Sequence, residues 1–329
     1  MGYKIGSFNM RNIGKTATGK KDSRDFSKIA EIIRESQFDV VALQEVLNEG
    51  VAFTSNSQIK RSILMELGPN WDFCWADSTT SSKTDRRGEG YAFLWNTRRL
   101  RLVRTVLDNG SIRNSFPYMI SAKTDELLRR PYYARFSPQG LVGGSNFEIR
   151  LICIHTYYGD DSSSARKIRN HEIDILMKEV YPRICDKVYK NDIPHYTIML
   201  GDYNVELKRP LKLGRKITKY PAYLKADAND IIEVSSWDSK KIKTVQDKYT
   251  TLARAFNGDR EKEVEDENYD NSGFVHDYDH FSYEISHFEG VYMKVDRINA
   301  VAKFCENDFY EYSKKVSDHI PIMMEIELK

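Results

Sequence analysis

Five short stretches of this 329-residue sequence place a residue that could bind a metal ion or move a proton beside an apolar, strand-like run. In chain order these residues are Asn9, Glu45, His155, Asp202 with Asn204, and Asp318 with His319. Carboxylate and amide oxygens are ligands suited to Mg²⁺, Mn²⁺ or Ca²⁺, and histidine exchanges protons near neutral pH. Hydrolysis of a phosphodiester requires a water nucleophile, neutralised phosphoryl oxygens and help for the leaving oxygen. The set therefore predicts a metal-dependent phosphohydrolase site.

The secondary structure must bring these residues together from distant parts of the chain. Residues 3–8 alternate between apolar and polar, and residues 39–43, 147–154 and 197–200 form apolar runs typical of strands. Each of these runs leads into one of the candidate residues. Strands that end together at one edge of a sheet would gather the candidate side chains in one cleft.

The rest of the chain continues this pattern of strands and helices. Helices are expected over residues 22–36, 62–67 and 165–180. The apolar stripe of the third helix is expected to consist of Ile168, Ile175, Leu176 and Val180. Further strands are expected over residues 71–75, 91–95, 100–107, 132–136, 281–285, 295–302 and 320–327. This order of elements suits two packed sheets flanked by helices.

Length and charge limit the organisation and the class of function. We expect a single domain over residues 1–329, because large two-sheet folds reach this size. The net charge is only +2 although 30% of the residues are charged, so binding of phosphate requires local clusters of charge. Such clusters occur in a charged loop insertion expected at about 206–277, which holds a basic stretch at 208–219 and an acidic stretch at 259–270.

The cysteines and the remaining histidines show no further motif. The four cysteines lack C-x-x-C spacing, so no zinc or redox motif is expected, and we interpret them as free thiols. His171, His195, His276 and His287 have no partner pattern and are interpreted as structural or exposed. The first residues lack the basic and apolar regions of a signal peptide, and no apolar run is long enough to span a bilayer. We therefore expect a soluble, cytoplasmic protein.

Three more motifs lie between the five stretches, namely residues 89–95 with Glu89, residues 129–136 with Arg129, and residues 278–281 with Asp279. In this order the motifs resemble the endonuclease/exonuclease/phosphatase superfamily, and their spacing is similar to that of deoxyribonuclease I. The resemblance covers nearly the whole chain. It implies an α/β (α+β) fold, a four-layer sandwich of two packed mixed β-sheets flanked by helices.

The resemblance implies how the metal and the phosphate would be held. Glu45 would be the main metal ligand, with Asn9 and Asp318 completing or supporting the metal site. Asp202 and Asn204 would position the attacking water and the phosphate.

The resemblance also implies which groups would transfer protons. His155 and His319 would bind the scissile phosphate and act in general acid–base catalysis, a contribution of about 10²–10⁴ in rate. Glu89 would hold His155, and Asp279 would hold His319.

Arginines are expected at the substrate, and two positions differ from the deoxyribonuclease pattern. Arg129 and Arg11 would contact substrate phosphates. Leu47 stands where the pattern has an arginine used on the DNA groove, and His280 replaces the arginine of Tyr-Asp-Arg. The grip on duplex DNA is therefore expected to differ from that of deoxyribonuclease I.

The expected function is Mg²⁺-dependent hydrolysis of phosphodiester bonds in DNA, with Mn²⁺ or Ca²⁺ as alternative cofactors. The expected partner is nucleic acid, with DNA first, and no membrane or obligate protein partner is expected. One alternative keeps the chemistry and acts on inositol phosphates or phospholipids. A second alternative is a non-catalytic binding module, which is disfavoured because the sequence retains Glu45, Asp202, Asn204, Asp318 and His319.

Overall fold

The computed structural model describes residues 2–14, 24–47, 53, 62–77, 89–103, 105–106, 112–113, 118–120, 127–140, 147–158, 163–189, 193–206, 225–226, 232–235, 241–253 and 273–327. Within these ranges the strands are β1 (Gly2–Ile13), β2 (Val40–Val46), β3 (Trp71–Asp77), β4 (Gly90–Asn96), β5 (Leu100–Leu102), β6 (Thr105–Val106), β7 (Ile112–Arg113), β8 (Tyr118–Met119), β9 (Tyr132–Pro138), β10 (Glu148–His155), β11 (His195–Asp202), β12 (Lys225–Ala226), β13 (Ile232–Ser235), β14 (Lys241–Val245), β15 (Thr251–Leu252), β16 (Phe274–His276), β17 (Asp279–Glu284), β18 (Tyr292–Arg297) and β19 (Ile322–Glu327).

The helices of the described ranges are α1 (Phe26–Glu35), α2 (Ile63–Leu67), α3 (Ser163–Ile175), α4 (Tyr181–Cys185), α5 (Ala300–Phe304) and α6 (Phe309–Lys315). A π-helical turn, Leu176–Val180, joins α3 to α4, and a 3₁₀ turn, Ile285–Phe288, follows β17. In the part of the chain that the structure describes, no helix has the length and apolarity needed to cross a membrane.

Two mixed sheets carry the fold. The six-stranded sheet has the order β18-β19-β1-β2-β4-β3, and its one parallel pair is β1 with β2. The nine-stranded sheet has the order β12-β13-β14-β17-β11-β10-β9-β5, with β8 also beside β9, and its one parallel pair is β10 with β11. Each parallel pair lies in the interior of its sheet, which matches the apolar runs that predicted buried strands.

Three apolar clusters define four layers. Between the sheets, side chains of β1, β4, β9, β10 and β19 pack together, with Phe93 and Leu151 fully buried among them. A second cluster joins α1, α5 and α6 to the outer face of the six-stranded sheet. A third joins α3, the π turn and α4 to the outer face of the nine-stranded sheet. The expected four-layer α/β sandwich of two mixed sheets flanked by helices is confirmed.

Local sequence explains where the first helix begins and which face it buries. Asp25 has an extended backbone and its side chain accepts a hydrogen bond from the Lys28 backbone N–H, an N-cap that satisfies one otherwise unpaired donor. Ile29, Ile32 and Ile33, spaced at three and four residues, are fully buried. The helical prediction for this segment holds, and α1 packs its apolar stripe on the first sheet.

The extents of two predicted strands were wrong. The strand expected over residues 295–302 ends at Arg297, and α5 begins at Ala300, because the Asn299 side chain caps a helix by accepting from the Ala302 N–H. The strand expected over residues 100–107 is divided into β5 and β6, which pair with different partners.

The apolar stripe expected for the third helix was wrong at Ile168, which is 46% exposed. On either side of Ile168 the buried face of α3 includes two charged residues, Arg169 and Glu172, together with Ala165 and Ile173. Arg169 donates to the Tyr158 carbonyl, and Glu172 accepts from the N–H groups of Leu128 and Tyr157. Polar contacts with neighbouring loops, invisible to a hydropathy pattern, therefore set the orientation of the helix.

The segment expected as a charged loop insertion contains regular structure where it is described. The basic stretch 208–219 and the acidic stretch 259–270 lie outside the described residues. Between them β12, β13 and β14 extend the nine-stranded sheet, and β15 pairs with β16, which follows the acidic stretch. The described parts of residues 206–277 therefore differ from a plain loop.

Gly201 occupies a position of β11 that has no room for a side chain. Its φ is +146°, and a Cβ atom built on it would lie 2.0 Å from the backbone oxygen of Ile154 on the parallel strand β10. Glycine therefore permits the close approach of β10 and β11 immediately before Asp202.

We predict that Gly201→Ala lowers the free energy of unfolding by about 3 kcal/mol, because the methyl group must push the two strands apart. Gly140→Ala is the matched control, since Gly140 also has a positive φ, +70°, but nothing lies within 4 Å of its Cβ position. That control should lose only about 1 kcal/mol. Urea unfolding followed by tryptophan fluorescence measures both, and equal losses would show that strand contact is not the constraint.

Candidate active site

The ends of the interior strands meet at one edge of the two sheets. Asn9 and Gln44 are register partners on β1 and β2, and Glu45 follows Gln44. In the other sheet, His155 and Asp202 are register partners that end the parallel strands β10 and β11. Antiparallel strand β17 starts at the same place, so that Asp279 pairs with Asp202.

The side-chain amide of Asn9 connects the two sheets. Its Nδ2 donates to Oε1 of Glu45 at 3.1 Å and to Oδ2 of Asp202 at 2.9 Å. Its Oδ1 accepts from the backbone N–H of Arg11 at 3.0 Å, which leaves the oxygen engaged away from the two carboxylates. In this arrangement Asn9 positions the acidic groups of the two sheets relative to each other.

Several of these residues have a positive φ, a left-handed backbone conformation that residues other than glycine rarely adopt. The φ of Glu45 is 56° and that of Asn204 is 49°. Asn204 is held there because its N–H donates to Oδ1 of Asp202 at 2.9 Å and its Nδ2 donates to the Thr156 carbonyl at 2.9 Å. Strain of this kind persists only where surrounding contacts fix the chain, and it is concentrated at functional sites.

His155 is held by a buried carboxylate and a buried arginine. Its Nδ1–H donates to Oε1 of Glu89 at 2.6 Å, and the other oxygen of Glu89 binds a guanidinium nitrogen of Arg129 at 2.7 Å. Burial raises the pKa of Glu89, but the charges of His155 and Arg129 outweigh it and lower that pKa to about 2. Burial and Arg129 lower the pKa of His155, but Glu89 and Asp202 raise it above its ordinary value. Arg129 thus holds Glu89 ionised, and Glu89 holds the imidazole.

His319 has a second carboxylate partner. Its Nδ1–H donates to Oδ2 of Asp279 at 2.8 Å, and the same oxygen accepts from the Thr250 hydroxyl at 2.6 Å. Burial lowers the pKa of His319, but Asp279, Asp202 and Asp318 outweigh burial and raise it to about 10. The pair therefore keeps a protonated imidazole at neutral pH.

Both histidines direct their second nitrogen toward Asp202. Nε2 of His155 and Nε2 of His319 each lie 3.8 Å from Oδ2 of Asp202, and Nε2 of His155 lies 3.9 Å from Oε1 of Glu45. These separations exceed a hydrogen bond, so the two imidazoles face Asp202 without being bonded to it directly.

These side chains line a cavity of about 300 Å³. Of the expected site residues, those on its wall are Glu45, Glu89, Arg129, His155, Asp202, Asn204, Asp318 and His319. Asn9 and Asp279 lie behind the wall and bond to groups on it. Arg11 pairs through Nε with Oδ2 of Asp318 at 3.2 Å and donates to the Ser313 hydroxyl at 2.8 Å, so it supports Asp318 from outside the cavity.

The charge of the cavity fits a divalent cation. Burial raises the pKa of Glu45, His155 lowers it, and the neighbouring charges of Glu89 and Asp318 raise it again. Two groups of side chains at this site could each hold a metal, because the donor atoms within each group lie within 4.8 Å of one another. One group is Glu45, Glu89 and His155, and the other is Asp202, Asp279 and His319. Hard carboxylate oxygens crowded in a buried site are the environment in which Mg²⁺-type ions bind.

Sequence reasoning missed an aromatic part of the cavity wall. His276, interpreted from the sequence as structural or exposed, lines the cavity together with Tyr158 and Tyr278. The rings of His276 and Tyr278 are stacked with centroids 4.5 Å apart and planes 4° apart, and His276 pairs with Glu206. The aromatic wall, defined as Tyr158, His276 and Tyr278, gives no spacing signal because Tyr158 is far in sequence from the other two residues.

The two positions that depart from the deoxyribonuclease pattern are buried. Leu47 is 5% exposed and its N–H donates to the Ile13 carbonyl. His280 is fully buried between the carbonyls of Gln246 and Val205. Neither side chain is therefore placed to contact a substrate.

The chain also matches a known protein family in sequence. The sequence model of the Endonuclease/Exonuclease/phosphatase family matches residues 6–259. The chain belongs to this family. Members of the family are metal-dependent phosphoesterases, in agreement with the clustered carboxylates and histidines of the cavity. The resemblance recognised in the sequence is thereby confirmed.

Solved structures of family members share the fold. TDP2 from D. rerio with a single-stranded DNA product is 13% identical, with 99% of both chains covered and a TM-score of 0.52. The human Nocturnin catalytic domain is 15% identical, covering 100% of this chain and 95% of the other, with a TM-score of 0.50. ANGEL2, a 2′,3′-cyclic phosphatase, is 14% identical, with coverages of 99% and 95% and a TM-score of 0.51. No curated protein sequence matches the chain.

We predict that Glu89→Gln lowers the free energy of unfolding by about 3 kcal/mol at pH 6 and by only about 1 kcal/mol at pH 3. Because the folded-state pKa of Glu89 is lowered from 4.5 to about 2, its contribution is complete above pH 4.5 and is lost as the pH falls through 2. Urea unfolding at the two pH values measures the difference. Glu35→Gln, at an exposed position of α1, is the control and should change little at either pH. A pH-independent loss for Glu89→Gln would contradict the ionised pairing.

Proposed function

We propose that this protein is a Mg²⁺-dependent nuclease that hydrolyses phosphodiester bonds in DNA. The proposal rests on the convergence of two carboxylate-held histidines on Asp202, each with Nε2 at 3.8 Å from Oδ2. This geometry directs two imidazoles, which can bind and protonate phosphate oxygens, toward the carboxylate proposed to polarise the attacking water. The first and last strands, β1 and β19, are paired in the same sheet, and this pairing supports a single domain over residues 1–329.

The residues of the cavity divide the reaction between them. Asp202 accepts a hydrogen bond from the attacking water, and Asn204 fixes the orientation of that carboxylate through its N–H. His155 donates from Nε2 to a phosphoryl oxygen, and protonated His319 transfers its Nε2 proton to the departing oxygen. In-line attack by water breaks the P–O bond, the proton lost by the water passes to Asp202, and the products are a phosphomonoester and a hydroxyl group.

Glu45 is the proposed principal ligand of the metal, with Asp318 beside it and Asn9 as the group that positions Glu45. Mg²⁺ bound there would neutralise charge on the phosphoryl and departing oxygens. Arg129 is already bound to Glu89. Its main proposed role is therefore to position the His155–Glu89 pair, and phosphate binding is its lesser role.

Two observations favour DNA over inositol phosphates. The aromatic wall borders the catalytic groups, and aromatic rings stack on nucleobases for about 1–3 kcal/mol per base. Among the described residues on the cavity wall, Arg129 is the only arginine or lysine, and Glu89 already binds it. A substrate with several phosphates would require more cationic groups than this wall supplies.

We predict that the protein nicks supercoiled plasmid in Mg²⁺, that EDTA abolishes nicking, and that His319→Ala lowers the rate by about 10²–10⁴. His171→Ala is the matched control, since His171 is exposed on α3, and it should retain the wild-type rate. Release of phosphate from inositol phosphates is measured in parallel. Phosphate release without nicking would reject DNA and retain the family chemistry, and inactivity on both substrates would reject catalysis.

We predict that Tyr158→Ala raises KM for a single-stranded oligonucleotide by about 5- to 100-fold with little change in kcat, because the ring contributes stacking and no proton transfer. Tyr292→Ala, at an exposed tyrosine of β18, is the control. Replacing the nucleotides beside the cleaved bond by abasic sites should abolish the difference between Tyr158→Ala and wild type. If Tyr158→Ala lowers kcat with KM unchanged, the aromatic wall is not a base-binding surface.

A further inference from the structure

A group of side chains of the types that can bind a metal lies at the end of the nine-stranded sheet remote from the cavity. We call Cys185, His195, Glu284 and His287 the Cys185 cluster. Cys185 ends α4, His195 begins β11, Glu284 ends β17, and His287 lies in the following 3₁₀ turn. Seven residue steps along β11 separate His195 from Asp202, which is roughly 23 Å of extended chain. The Cys185 cluster is therefore separate from the site described above.

Three of the four side chains lie within the distances that one small ion could span, and the fourth, Glu284, adjoins them through Cys185. Donor atoms of Cys185, His195 and His287 lie within 4.8 Å of one another. Sγ of Cys185 is 3.2 Å from Oε2 of Glu284 and 3.2 Å from Nδ1 of His287. The second nitrogen of His287, Nε2, lies 3.7 Å from Oε2 of Glu284 and would stay outside a metal site that uses Nδ1. A tetrahedral zinc ion bound by sulfur, nitrogen and oxygen has ligand atoms separated by roughly 3.3–3.6 Å.

Hydrogen bonds to neighbouring groups orient two of these side chains in a way that suits metal binding. Nε2 of His195 donates to the Cys185 carbonyl at 2.8 Å, which leaves Nδ1 as the nitrogen with a lone pair. Oε1 of Glu284 accepts from the Ser286 hydroxyl at 2.9 Å, which leaves Oε2 facing the thiol. Metal-bound histidines and carboxylates are typically oriented by hydrogen bonds of this kind.

Burial and charge also suit a metal centre. Cys185 is 1% exposed and Glu284 is 4% exposed, whereas the His287 side chain is 30% exposed and gives an ion a route from solvent. An imidazole nitrogen and a thiol must give up their protons to bind a metal, so metal binding at this cluster releases protons.

We propose that Cys185, His195, Glu284 and His287 bind a zinc ion in a structural site. One thiolate, two imidazoles and one carboxylate are four ligands of the types that zinc prefers, and they leave no position for a catalytic water. On binding, the Cys185 thiol loses its proton to solvent and the sulfur bonds to the metal. The ion ties α4 to the first residue of β11 and to the turn after β17.

The cluster is hidden in the sequence because its members are far apart. No pair of them has the short C-x-x-C or H-x-x-x-H spacing from which zinc sites are recognised, and Glu284 and His287 are the only two that are close along the chain. The fold brings them together because the last turn of α4 packs on the ends of two adjacent strands, β11 and β17.

The test uses Co²⁺ as a spectroscopic probe of the full-length protein after removal of metals by a chelator, with excess Mg²⁺ present to occupy the carboxylate site. Stoichiometric Co²⁺ should produce the near-ultraviolet charge-transfer band of a cobalt–thiolate bond, and one equivalent of Zn²⁺ should remove it. Cys185→Ser should lack the band, and the control Cys305→Ser, a cysteine outside the cluster, should keep it.

His287→Ala provides a second variant at a partly exposed position, where folding is retained more readily. It should weaken Zn²⁺ binding more than roughly 100-fold, since loss of an outer partner alone weakens binding 10- to 100-fold. Zn²⁺ should raise the Tm of wild type and of Cys305→Ser but not that of Cys185→Ser. Absence of the band from wild type, its presence in Cys185→Ser, or equal Zn²⁺ effects on all variants would overturn the proposal and leave a hydrogen-bonded cluster.

Discussion

The hydrogen bonds of the Asn9 amide are the interaction on which the candidate site depends. One nitrogen reaches Glu45 of the six-stranded sheet and Asp202 of the nine-stranded sheet. Directly beside it, Gln44 reaches across the same interface to Sγ of Cys153 at 3.1 Å. Apolar packing between the sheets is non-directional, whereas these bonds have a fixed length and angle. They therefore set the separation of the two carboxylates where a well-packed core alone would not.

Once the sheets are fixed at this edge, charge determines the rest of the arrangement. Buried carboxylates must be paired or coordinated, because an isolated buried charge is unstable. Glu89 is satisfied by Arg129 and His155, and Asp279 by His319 and Thr250. Burial raises the pKa of Glu45 against the opposing charge of His155, so the surrounding side chains do not fully offset the charge of an ionised Glu45. A divalent cation at Glu45 would offset that charge, so the arrangement of buried charges at this edge favours metal binding.

The sequence predicted the parts of this site that depend on strand order. Asn9, Glu45, His155 and Asp202 were recognisable because each follows an apolar run, and parallel strands end at a common edge. His276 gave no such signal, since its partner Glu206 lies 70 residues away and its stacking partner Tyr278 precedes a different strand. Ile168 was misplaced because Arg169 and Glu172 occupy the buried face of α3 through loop contacts. Contacts between distant loops cannot be read from periodicity.

Strand β11 links the two sites and explains why they take different chemistry. Its last residue, Asp202, lies among hard carboxylate oxygens, while its first residue, His195, lies beside a buried thiol and a second imidazole. Zinc binds most nitrogen and oxygen sites more tightly than Mg²⁺, so ligand type and position must separate the two ions. In the cavity Nδ1 of each histidine is bound to a carboxylate, and only the Nε2 atoms remain to face a ligand. In the Cys185 cluster the thiol supplies a soft ligand that Mg²⁺ does not use. A zinc ion held there would stabilise the base of β11 without competing for Glu45, so the strand that positions Asp202 is fixed at both ends by different means.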